Sequence, residues 1–157
     1  MAVHLSAMGA SMQQHPDPQD PLGSQAGGTS CPTSLARRFS CHPSSIGAAR
    51  RAVDELGDCL QPTLLADLRL LVSEVVSNSV EHSPRPDGAI GLAVSISGER
   101  VRAEVEDGGR GFTAVGSRPA VDAPSGRGLF LVDQLAASWG VSGTDGTRVW
   151  FELDREG

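Results

Sequence analysis

Lysine is absent from this 157-residue chain, and all 13 of its basic residues are arginine. No side-chain amine is on hand for Schiff-base chemistry. A Walker-type P-loop, which needs its Lys, is excluded as well. Tyrosine is also absent, so no phenol can serve as acid or nucleophile. The three cysteines, Cys31, Cys41 and Cys59, stand far apart without a C-x-x-C pair. That pattern indicates neither a zinc site nor a disulfide framework, and the thiols are expected to be reduced. No apolar run approaches the ~20 residues that span a bilayer. The first residues lack the basic region and apolar stretch of a signal peptide, so the expected setting is cytoplasmic, without a membrane partner. The formal net charge of −6 argues against direct nucleic-acid binding.

What is present divides the chain in two. Residues 1–34 are rich in Pro, Gly, Ser, Gln and Ala, and the run His15–Pro21 cannot hold a helix. They are expected to form a disordered tail, with a single domain over 35–157. In that domain Leu35 to Cys41 reads as a short edge strand. Ser44 or Ser45 can cap a helix from about Ile46 to Leu60, whose apolar residues recur at three or four. Pro62 fits the first turn of a second helix running to about Glu81. Alternation over 90–96 and 101–105 predicts two strands joined by the turn Ser97–Arg100. Residues 108–127, glycine-rich and lacking apolar periodicity, read as a long loop. Leu129 to Ala136 reads as a third helix, and 139–142 with 147–153 as a last strand pair. The order predicts an α+β fold, a two-layer sandwich with helices on one face of a mixed, mostly antiparallel sheet.

Three segments carry chemistry. Glu74, Asn78 and His82 are spaced by four, on one face of the second helix. Asn78 is the only asparagine in the chain. A carboxylate beside a carboxamide suits a hydrated Mg²⁺ ion and a nucleophile that needs a base. The same spacing also fits a polar stripe facing solvent, although the valines around it favour a cleft. Asp107-Gly108-Gly109-Arg110-Gly111 leaves a strand and enters glycines. Asp107 can accept from an exocyclic amine, and Gly109 and Gly111 let backbone approach a flat base; an ordinary Asp-Gly turn is the other reading. Ser125-Gly126-Arg127-Gly128 precedes the third helix, whose free N–H groups favour phosphate; a capped helix after a flexible loop is the alternative.

In this order the motifs resemble those of the GHKL ATPase superfamily, whose ATP site is the Bergerat fold. The nearest likeness is to the anti-sigma-factor serine/threonine kinases. Glu74 to His82 is similar to the family's N box, and Asp107 to Gly111 to its D-x-G-x-G box. Gly126 to Val132 is similar to its second glycine box, and Gly146 to Leu153 to its last strand. The likeness spans roughly 35–154. It implies ATP and Mg²⁺ as ligands, Glu74 as general base and Asn78 as Mg²⁺ ligand. It implies that Asp107 reads the adenine amino group, with Gly109 and Gly111 lining the base pocket and Thr147 near adenine through water. Gly126, Arg127, Gly128 and Leu129 correspond to the phosphate-side lid and helix start. Arg50 aligns with an arginine near the triphosphate, and His82 closes the N box. Arg50 also reads as a solvated helix residue, and His82 as a helix-terminal one.

The resemblance implies a serine/threonine protein kinase that acts on an anti-anti-sigma protein of the STAS type, binds a sigma factor, and regulates transcription by partner switching. Relatives commonly dimerise, so a homodimer is among the expected assemblies. A non-catalytic ATP-dependent switch and a hydrolase that uses water are the rival readings. The segment between Gly111 and Gly126 is short and offers only Arg118 as a cation. The sequence shows no room for a dimerisation helix or phosphoacceptor His, which argues against a sensor histidine kinase.

Overall fold

Among the described residues, apolar side chains repeat at helical or strand spacing, and most of these periodic stretches fold as their period demands. The computed structural model describes residues 31–82, 87–108, 127–143 and 146–156. Its elements are β1 (Ser34–Ser40), α1 (Ser44–Asp54), a 3-10 turn (Gly57–Cys59), α2 (Pro62–His82), β2 (Ala89–Ser97), β3 (Arg100–Asp107), α3 (Arg127–Leu135), β4 (Ser138–Ser142) and β5 (Thr147–Asp154). The expected tail over residues 1–30 and the long loop over 109–126 lie outside the described residues. The expected domain edge at residue 35 falls one residue inside β1. Thr33 is already tied to the sheet, its carbonyl accepting the Ile96 N–H at 2.7 Å.

The strands form one sheet in the order β1-β2-β3-β5-β4. Among the described residues every pairing is antiparallel, so the expected mixture is absent. The reason lies in the helices. Cys41 lies by Ser79 and Val80, Arg50 by Ser73, and Asp54 by Arg69, so α1 and α2 run in opposite directions. A strand followed by a down-and-up helix pair restarts at the end where it stopped, which makes β2 antiparallel to β1. The chain therefore sorts its ends. Ser40, Ala89, Asp107 and Thr147 share one end of the sheet, and the Gly98–Glu99 turn and Asp154 share the other.

The helices cover one face, where Leu68, Leu71, Val75 and Val76 of α2 meet Leu92, Val105 and Phe151 of the sheet. Leu68 and Phe151 are fully buried; truncating such a leucine to alanine costs about 2–5 kcal/mol. The opposite face is polar and held by ion pairs within and across strands. Arg102 binds Glu104 at 2.9 Å and Glu152 at 3.0 Å while lying 4.2 Å over the Trp150 ring. In the β2–β3 turn Gly98 takes φ of 55°, a region that suits glycine.

Two local expectations are corrected. First, α1 ends at Asp54 rather than at Leu60. The N–H groups of Glu55 and Leu56 bond back three residues, to Ala52 and Val53, which tightens and closes the helix. Leu56 and Leu60 nevertheless stay buried, so their spacing reflects the core rather than a continuing helix. Second, neither serine caps α1. The Ser45 hydroxyl donates to the Ser40 carbonyl at 2.6 Å, and it is the His42 Nδ1 that accepts the Ser44 N–H at 3.2 Å. Pro62 does open α2, with Gln61 before it accepting the Leu65 N–H.

Candidate functional site

Helix α2 places a buried residue in nearly every turn, and its polar positions 74 and 78 are the ones that concern chemistry. Val72, Val75 and Val76 are fully buried, whereas Glu74 and Asn78 are half-buried, one turn apart. The same helix also carries Asp67, Arg69, Ser77 and Glu81, so what sets the pair apart is its partial burial beside fully buried valines. His82 closes the helix in the open, its Nε2 4.0 Å from a carboxylate oxygen of Glu81. Its described neighbour is thus an exposed carboxylate rather than the Glu74–Asn78 pair.

Arg50 comes to α2 directly. Its Nε donates to the Ser73 hydroxyl at 2.7 Å, and that hydroxyl donates in turn to the Arg69 carbonyl at 2.6 Å. Ser73 is buried, so the bond anchors the guanidinium beside the residue that precedes Glu74. Arg50 is exposed, as its reading as a solvated helix arginine expects, and its Nε is also tied across the helix pair. Ser73 itself was not singled out in the sequence. A serine beside a motif is a common sight, and its partner lies 23 residues away.

Asp107 ends β3 at a position where the strand still faces the core. Val101, Ala103, Val105 and Asp107 alternate inward, and Asp107 is only 9% exposed. It pairs across the sheet with Ile90 of β2 and with Thr147 of β5. A row Phe39–Ile90–Asp107–Thr147 therefore crosses four strands on the helix-covered side of the sheet end. The two residues expected at adenine from the resemblance, Asp107 and Thr147, thus stand opposite each other at the end where α2 finishes.

On the phosphate side, α3 begins at Arg127, two residues earlier than the apolar spacing predicts, so Gly128 lies in its first turn and Leu129 is half-buried behind it. Val132 seats the helix in the core, and the Trp139 Nε1 donates to the Asp133 Oδ1 at 3.0 Å, pinning α3 to β4. Gly109, Gly111, Gly126 and Arg118 lie outside the described residues.

The donor set fits Mg·ATP in kind. Among the described residues no group of three His, Cys, Asp or Glu side chains is arranged to hold a metal. A carboxylate and a carboxamide one turn apart are what a hydrated Mg²⁺ held mainly by phosphates and water requires. Asn78 would hold the ion, and Asp107 with Thr147 would face the base. No helix among the described residues is long and apolar enough to cross a membrane.

Comparison with known proteins bears on the family and the fold. The family described as "Histidine kinase-like ATPase domain" matches residues 34–153. Among solved structures, the histidine kinase domain of the Erythrobacter litoralis EL346 blue-light activated histidine kinase is 26% identical, with a TM-score of 0.50 over 72% of this chain. The chain spans 60% of the length of that domain. The mycobacterial sensor histidine kinase MprB is 22% identical, with a TM-score of 0.45, over 57% of this chain and 73% of its own. No curated protein matches the chain. From β1 to β5 the chain belongs to the family of histidine kinase-like ATPase domains, the ATP-binding domains of the GHKL type.

Proposed function

We propose that the domain is a serine/threonine protein kinase of the anti-sigma-factor kind, which phosphorylates a small anti-anti-sigma protein and by that transfer decides which partner it holds. The observation that carries this reading is the half-buried Glu74–Asn78 pair on α2, with Arg50 fixed beside it through Ser73. Glu74 would accept the proton of the partner's serine hydroxyl as the hydroxyl oxygen attacks the terminal phosphorus of ATP. Asn78 would hold Mg²⁺, which supplies charge neutralisation at the phosphates. The amides of the α3 N-terminus and Arg50 provide the remaining positive field in a chain without lysine. Asp107 and Thr147 would select adenine. Repression would come from capture of a sigma factor, with no contact to DNA.

Incubation of the protein with γ-labelled ATP, Mg²⁺ and a candidate anti-anti-sigma protein tests the proposal. Label on a partner serine supports it. Label released only as free phosphate assigns a hydrolase. Nucleotide-dependent partner binding without any transfer assigns the non-catalytic switch.

A further inference from the structure

Cys31 and Cys59 are separated by 28 positions in sequence, yet the fold brings them together at the sheet end remote from Asp107. The Cys31 thiol donates to the carbonyl of Asp58 at 3.3 Å. That carbonyl belongs to the peptide leading into Cys59, whose Cα lies about 2.8 Å from its oxygen by covalent geometry. Cys31 Sγ is therefore within about 6 Å of the Cys59 Cα, a reach that side-chain rotation closes. Both residues are half-buried. Burial first, and then the neighbouring Cys31 thiol, pushes Cys59 up to about 11. A cleft of 340 Å³, lined by Asp58, Cys59, Gln61, Gly98, Glu99 and Arg155, reaches Cys59 and the Asp58 carbonyl on which Cys31 rests. Cys41 is elsewhere, its sulfur 3.9 Å from the Ser79 carbonyl near the far end of α2.

We propose that Cys31 and Cys59 form a dithiol that closes to an intramolecular disulfide by exchange with a low-molecular-weight disulfide entering this cleft. Either thiol can open the exchange, and the balance is the same when it is Cys31. Its thiolate displaces one half of the reagent disulfide, which leaves as a thiolate and takes up a proton. Cys59 then loses its proton and attacks the Cys31 sulfur, and the second half of the reagent leaves as a thiol. Two protein thiols are oxidised and one reagent disulfide is reduced to two thiols. The new bond latches the lead-in to β1 onto the turn that feeds α2.

The probe is oxidised and reduced glutathione, applied to the full chain, with intact mass and peptide mapping as readouts. A bridge that the fold favours also favours the fold, by thermodynamic reciprocity. The native chain should therefore be half-oxidised at a ratio of oxidised to squared reduced glutathione at least roughly tenfold below that of the urea-unfolded chain. It should lose the mass of two hydrogens and keep Cys41 free. Cys41→Ser should bridge as the natural chain does. Cys31→Ser and Cys59→Ser should instead each retain one bound glutathione. A bridge that includes Cys41, or equal oxidation midpoints in the native and unfolded chains, would overturn the proposal. The midpoint comparison needs no variant, so it stands even where a serine substitution fails to fold.

Discussion

Replacing Asp107 tests the adenine side of the proposed site, because this residue joins a buried position to the base contact proposed for it. Its carboxylate is 9% exposed at the end of β3, opposite Thr147. A hydrogen bond to a charged acceptor in such a setting is worth about 1.5–3 kcal/mol. Asp107→Ala should therefore weaken ATP binding roughly 10- to 150-fold. The preference for ATP over GTP should vanish with it, since guanine presents a carbonyl oxygen where adenine presents its amino group. Asp107→Asn sharpens the test. Its carboxamide can turn an N–H₂ toward that carbonyl, so GTP should gain affinity while ATP loses it. Isothermal titration with both nucleotides, on variants whose thermal unfolding shows an intact fold, gives the answer. A folded Asp107→Ala protein with natural affinity and undiminished ATP preference would refute the assignment and place the base elsewhere.

Three further outcomes are expected. Glu74→Gln should keep ATP affinity but lower phosphoryl transfer by ~10²–10⁴, as loss of a general base does; natural transfer rates in the labelled-ATP assay would rule out that role. Asn78→Ala should weaken ATP binding in Mg²⁺ far more than in excess chelator, whereas equal losses in both titrations would make Asn78 structural. The Glu152 carboxyl is held below its ordinary range, first by the Ser138 hydroxyl and then by Arg102. Such a group stabilises the fold above its unfolded pKa, and that contribution is lost as pH falls through its lower folded value. Glu152→Gln should thus lower the urea midpoint at neutral pH and flatten its decline on acidification; an unchanged slope would contradict this.

Much of the architecture was legible because the periods were clean. The alternation of Ile90, Leu92 and Val94 placed β2, and Pro62 placed the start of α2. Where legibility failed, the information was not local. The spacing that carries Leu56 and Leu60 into the core is shared by a helix and by a turn that serves the same core. Hence the end of α1 could not be read from it. The His42 cap, the Arg50–Ser73 bond and the approach of Cys31 to Cys59 each join residues that only the folded helix pair or the sheet brings near. The strand directions depended on α1 and α2 running opposite ways, which no single segment encodes. In the site, spacing alone put Glu74 one turn from Asn78. That Asp107 faces Thr147 could be inferred only once β5 was known to pair with β3.

That last pairing has a consequence for synthesis on the ribosome. The emerging chain completes β1, α1, α2, β2 and β3 before β5 exists, so the partner of β3 is the last strand made. Until then β3 is an unprotected edge with its backbone donors and acceptors open to other chains. Docking of β5 closes that edge and sets Thr147 against Asp107 in one step. One inner edge of the sheet is thus closed at the moment Thr147 comes to face Asp107, leaving β1 and β4 as its edges, and a chain cut short before Thr147 lacks that closure.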